Sequence, residues 1–111
     1  MVIETGKSSS IDMFKKLPRG AQLLVAYCLY NKQWEVQLME QDPDAQALVA
    51  IGWIVGRRRG VEKIMGCKTY EFTDAGADAV EAMRDDILAS VREEELEHYK
   101  HRKGQLYPWL W

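Results

Sequence analysis

Cysteine is scarce in this chain: Cys28 and Cys67 are the only two, far apart in sequence and without metal-ligand spacing. They read as buried thiols of a reducing compartment, with no disulfide framework. Long apolar runs are lacking as well. None approaches the roughly 20 residues needed to cross a bilayer, and the first residues hold no apolar segment of signal-peptide length. A cytoplasmic protein without membrane contact is therefore expected. Histidine is limited to His98 and His101. With Glu94 and Glu97 they share a helix face at i, i+3 and i+4 spacing, but no cysteine or further histidine completes a ligand set, so no metal is expected. Also missing are a glycine-rich phosphate loop, a nucleophile elbow and a paired-histidine motif with a catalytic glutamate. Without an assignable nucleophile, base or oxyanion donor, the expectation is a non-enzymatic protein with no cofactor.

Charge of one sign is not in excess either. Fifteen basic residues stand against 17 acidic ones, for a net charge of −2. Dedicated nucleic-acid binders are more often basic, because phosphate neutralisation supplies most of their affinity. Position matters more than the sum here. Cations gather at Arg57, Arg58 and Arg59 and again at Lys100, Arg102 and Lys103, whereas residues 74–97 hold nine acidic residues against Arg84 and Arg92.

What is present suits one soluble α+β domain. The 111 residues are 47% hydrophobic and 29% charged, enough for a modest core and too few for two. Residues 1–10, with Gly6, Lys7 and three serines, read as a flexible arm. Residues 11–17 suit a short helix, with Ile11, Phe14 and Leu17 on one side and Pro18 ending it. Pro18 is equally fit to start the next helix, whose Leu23, Leu24, Val25, Tyr27, Cys28 and Leu29 mark it as a core element reaching about residue 31 or 32. Trp34, Val36 and Leu38 then alternate with Glu35 and Gln37, as in a short strand, while Met39 and Glu40 could equally extend a helical turn. Asp42 before Pro43 reads as an N-cap followed by proline at the first helical position.

Residues 44–78 organise the rest. Leu48, Val49 and Ile51 run at helical spacing into Gly52, which can stop a helix. Trp53, Ile54 and Val55 favour a strand, a basic loop with Arg57, Arg58, Arg59, Lys63 and Lys68 follows, and residues 70–73 read as the returning strand. Thr73 or Asp74 can cap the next helix. That helix is expected to run unbroken from Asp74 to about Lys103, with Ala77, Val80, Met83, Ile87 and Val91 as its apolar stripe and Gly104 as its stop.

The run AIGWIV, a loop, and then YEFTDAGADAV resembles the second half of small winged-helix regulators, in which a helix ends in glycine, a wing follows, and its strand leads through Thr and Gly into a final helix. The resemblance covers residues 18–87 and rests on Gly52, Ile54, Tyr70, Thr73 and Gly76. A narrower similarity is to the soluble C-terminal domain of the phage superinfection exclusion protein B family, which also has a short link from first helix to wing. Only 20 residues separate Asn31 from Gly52. If residues 34–38 are the first strand of the wing sheet, one helix remains where a helix-turn-helix needs two. The resemblance implies a winged-helix-like domain over residues 11–91, and residues 92–111 add a helix extension and an aromatic tail.

Two functional readings follow. In the first, the protein is a regulator or inhibitor that binds a partner protein, as a phage or mobile-element product would. In the second, it is a small DNA-binding transcriptional regulator, with Arg57, Arg58, Arg59 and Lys63 on the phosphate backbone and Gln46 as the one base-reading side chain. With Leu48, Val49 and Ile51 buried, the exposed helix face presents Asp44, Gln46, Ala47 and Ala50, where Asp44 faces phosphate and no Arg, Lys or Asn is offered. The tail places Tyr107, Trp109 and Trp111 at alternate positions, and with Leu96 and Tyr99 they form a candidate interface. These aromatics either complete the protein's own core or anchor a second subunit as a homodimer.

Overall fold

The computed structural model describes residues 7–57 and 66–106, with side chains from residue 11 onward. Helix α1, Lys7–Lys16, starts ahead of the expected residue 11 and takes in four residues read as arm. Helix α2, Arg19–Tyr30, is the centre of the domain: Ala21, Leu23, Leu24, Val25, Ala26, Cys28 and Leu29 are all buried. Its apolar surface goes most of the way round, so it is packed on several sides. It ends with Lys32 in the left-handed region at φ 55°. The Lys32 and Gln33 amides donate back to the Leu29 and Cys28 carbonyls, a Schellman closure with lysine where glycine is usual.

Strand β1, Glu35–Met39, buries Val36 and Leu38 and exposes Glu35 and Gln37, as the alternation predicts. Helix α3, Pro43–Ala50, follows, with Asp42 at its N-cap and proline in its first turn. It closes by a second Schellman arrangement. Gly52, at φ 77°, and Trp53 donate to the Val49 and Leu48 carbonyls. Strands β2, Ile54–Arg57, and β3, Cys67–Phe72, complete a three-stranded antiparallel sheet in the order β1-β3-β2. Register is set around Tyr70, which lies opposite Val36 on one side and Gly56 on the other.

Beyond the sheet the expected single helix is three. Helix α4 is Asp74–Ala82, α5 is Arg84–Ala89 and α6 is Glu93–Leu106. Val80, Met83 and Ile87 from the expected stripe are buried, so the core face was read correctly and the continuity was not. The second break has a local cause. Ser90 Oγ donates to the Ile87 carbonyl, while the Arg92 amide donates to Glu95 Oε1 three residues on, half of a capping box that starts a new helix. Glu93, Glu94 and Glu95 then sit in the first turn of α6, where the helix dipole favours negative charge. Gly104 does not stop α6, which continues through it to Leu106.

One close approach fixes the wing-side geometry. Thr73 Oγ1 accepts from the Gly76 amide, donates to the Gly52 carbonyl at 2.8 Å, and the Thr73 amide donates to the Trp53 carbonyl. One residue thereby ties the end of α3, the entry to β2 and the start of α4. A Cβ at position 76 would run into the Trp53 backbone, whereas one at position 104 would meet nothing within 4 Å among the described residues. We therefore expect Gly76→Ala to destabilise the fold by about 1–3 kcal/mol, since backbone must move to admit the methyl group. Gly104→Ala should stabilise it by about 0.5–1 kcal/mol through helix propensity. Thermal unfolding of the two variants beside the wild type checks the opposite signs.

Candidate functional site

The strongest concentration of buried chemistry lies where the start of α3 meets the end of α6. Asp42 and Asp44 flank Pro43 at the head of α3, and Tyr99 and Lys103, four residues apart on α6, reach them from one helix face. Lys103 Nζ is 2.6 Å from Asp42 Oδ2 and 3.0 Å from Asp44 Oδ2. The Tyr99 hydroxyl donates to Asp44 Oδ2 at 2.8 Å. Asp42 Oδ1 accepts the Asp44 and Ala45 amides at 3.0 and 3.2 Å. All four residues are buried, Asp42 and Tyr99 to 1% exposure and Lys103 to 3%.

Such a cluster is costly to bury and is kept only when nearly every oxygen and proton has a partner. That condition is met here. The Asp42 carboxylate both caps α3 and holds Lys103, and the Lys103 ammonium also lies 5.4 Å from the Tyr99 ring centroid. Gly20 on α2 lies against the Asp44 carboxylate, which a Cβ at that position would strike. The glycine in the first turn of α2 is thus explained by close approach. With every member engaged inside the domain, the cluster's chemistry is that of a fastening between α2, α3 and α6.

The residues expected to make contacts are placed as follows. Asp44, expected to face solvent and phosphate, is buried in the fastening, and Val49, expected in the core, is 38% exposed. The helix is turned so that its two carboxylates point inward to a buried cation. Its outward surface consists of Pro43, Gln46, Val49 and Ala50, and the Gln46 side chain donates to the Glu40 carbonyl. Lys103 belongs to no surface basic patch. Leu96 and Tyr99, expected at an interface, are core residues at 7% and 1% exposure, because α6 folds back on α2. Arg57 is exposed and lies 2.7 Å from Glu71 across the β2–β3 ladder. Arg58, Arg59, Lys63, Tyr107, Trp109 and Trp111 lie outside the described residues. Glu93, Glu94, Glu97, His98 and His101 border a shallow depression on the outer side of α6. Among the described residues no group of three or more His, Cys, Asp or Glu side chains is arranged to hold a metal ion, and no helix is long and apolar enough to cross a membrane.

The cluster had a readable trace in the sequence. Leu96, Tyr99 and Lys103 fall at i, i+3 and i+7, so a lysine ends the inward stripe of an otherwise polar helix. A lysine in that register calls for a buried anion, and the Asp-Pro-Asp step at the head of α3 is where two are found. The chain matches no family model, no curated protein sequence and no solved structure.

Burial pushes the Cys28 thiol up to about 12. Tyr99 is raised well above the ordinary tyrosine range, first by burial and then by the neighbouring Asp44 carboxylate. An acid whose folded pKa is raised stabilises the fold fully below its unfolded value and ceases to do so as pH rises through the folded value. In the unfolded chain the thiol ionises near 8.5 and the phenol near 10. On account of these two groups stability should begin to decline above about pH 8 and fall by on the order of 3–5 kcal/mol by pH 11. Urea midpoints at unit pH steps test this, and Cys28→Ala should remove the part of the decline that begins below pH 10.

Proposed function

We propose that the protein is a non-enzymatic regulatory or inhibitory protein of winged-helix type, acting in the cytoplasm by occupying a partner protein. The observation that carries this reading is the outward face of α3. That helix stands between β1 and β2, where a winged-helix DNA reader places its recognition helix, yet Gln46 is the only hydrogen-bonding side chain on a face otherwise made of Pro43, Val49 and Ala50. Both of its carboxylates are engaged internally and it offers no cation. A face of this kind has little to say to base edges or phosphates and suits an apolar protein contact. The sheet order β1-β3-β2 supports the winged-helix part of the reading, while the single helix between the first two strands departs from the pair that a helix-turn-helix needs.

A DNA-binding reading is favoured by one feature, the cations Arg57, Arg58, Arg59 and Lys63 at and beyond the end of β2. Backbone contact by these residues would give affinity without sequence preference.

Two measurements separate the readings. Titration against random and promoter-like duplexes at low and physiological salt is expected to show, at most, weak low-salt binding that is sequence-blind. The Arg57, Arg58 and Arg59 to Ala variant should abolish it, lowering the salt slope by about one for each phosphate contact removed. Tight sequence-selective binding at physiological salt would instead make the protein a DNA-binding regulator. For the protein partner, Val49→Asp places a charge on exposed surface, where substitutions seldom cost more than about 0.5 kcal/mol of stability. We expect it to leave folding intact and to abolish capture of any partner that the wild-type chain retains from host extract.

A further inference from the structure

Helix α6 is held in an unusual way for a fourteen-residue element. Only Leu96, Tyr99 and Lys103 are buried on it, and one of these three is a lysine. Its first turn is tied to α2 by Arg19, whose guanidinium donates to Glu95 and to the Ser90 carbonyl. That contact is exposed on both sides and of little worth in salt. Its last turns are tied by Lys103 and Tyr99 to Asp42 and Asp44. Between the two ends lies a groove against α2, with Leu23 and Tyr99 in it and Glu94, Glu95, His98 and Arg102 along its rim. An amphipathic helix normally docks through a continuous apolar stripe. This one docks through one leucine, one tyrosine ring and a buried charge.

The buried anchor is shared. One oxygen of Asp42 accepts Lys103 and the other accepts the first amides of α3, so the same carboxylate fixes the end of α6 and the start of α3. If α6 lifts, Lys103 and Tyr99 leave with it, and Asp42 and Asp44 are left as two neighbouring like charges that water now reaches. Asp42 then loses the cation that held its carboxylate in place, and its bonds to the first amides of α3 must compete with water. An eight-residue helix has little intrinsic stability with which to resist.

We propose that α6 is a releasable strap whose docking sets the order of α3 through Asp42, so that anything lifting α6 also loosens the face of α3. The link between strap and helix stands on the geometry alone. Its consequence for partner binding rests on the reading of that face given above. Local opening of this kind takes place well below the free energy of global unfolding and is read by amide exchange.

The test is hydrogen exchange on the full chain without any partner, so that its failure is distinct from a failure of the partner reading. Leu96→Ala loosens α6 without touching the carboxylates. It should speed exchange in α6 about tenfold or more and carry the α3 amides Ala45 to Val49 up with it, while β3 keeps wild-type protection. Lys103→Met keeps the apolar stem and removes the charge, and should speed exchange first at Asp44 and Ala45. Val36→Ala on the edge strand serves as a comparison of similar overall destabilisation and should not raise α6 and α3 together. Exchange that rises in α6 alone after Leu96→Ala, rises equally in every element, or stays unchanged would overturn the proposal.

Discussion

The contact between Lys103 and Asp42 is the constraint on which the arrangement of helices depends. A lysine ammonium brought to 3% exposure is stabilised by an anion whose remaining lone pairs are also engaged, and Asp42 supplies one, its other oxygen being committed to α3. The consequence is geometric. Helix α6 cannot slide or rotate on α2 without withdrawing the cation, and α3 cannot turn its carboxylates outward without abandoning it. An apolar pair of the same volume would hold the helices as firmly but would tolerate several registers. Hydrogen bonds and opposite charges select one.

A second fixed point lies on the far side of α3 and is made of backbone. Thr73 joins the carbonyls of Gly52 and Trp53 to the first turn of α4, and the absence of a side chain at Gly76 lets α4 approach the Trp53 backbone closely. Between these points α3 is short, capped by a buried aspartate at one end and by a left-handed glycine at the other. Its orientation comes from what it is attached to. The presented face of Gln46, Val49 and Ala50 is therefore a result of tertiary structure, and no periodicity within α3 would have revealed it.

That limit explains which parts of the structure were legible in the sequence. The existence of the strands was, because alternation in residues 34–38, the β-branched pair Ile54 and Val55, and the cap at Thr73 are local signals that agree with one another, but β2 runs on to Arg57 and β3 starts at Cys67, so Arg57 and Lys68, read as loop, lie in the sheet. Asp42 and Gly52 marked the ends of α3 for the same reason. The inward face of α4 and α5 was readable from spacing, but the breaks near Met83 and Ser90 were not, since a stripe at three- and four-residue steps survives a change of helix when the pieces pack on one core. Asp44 was misplaced because its partners lie 55 and 59 positions away. In an isolated helix an aspartate belongs outside, and only Tyr99 and Lys103 bring it in. Leu96 and Tyr99 were assigned to an interface by the same error in reverse, as apolar residues on a polar helix whose docking surface within the chain was not visible.

Turning Asp44 inward changes the functional argument in a direction that is easy to misjudge. Removing a carboxylate from the exposed face of α3 takes away an obstacle to phosphate, which by itself would favour a nucleic-acid reading. The same rotation exposes Val49 and removes Lys103 from the stock of surface cations. What remains on α3 is a nearly uncharged, partly apolar strip, and counterion release needs cations where the phosphates would lie. The cations at and beyond Arg57 are attached to a different element, and Arg57 itself is engaged with Glu71. A fold of this outline can serve unrelated functions, so its use is decided by the chemistry of the helix it presents. Here that helix presents Gln46, Val49 and Ala50, the face on which the proposed protein contact rests, and its position is held by the charge buried behind it.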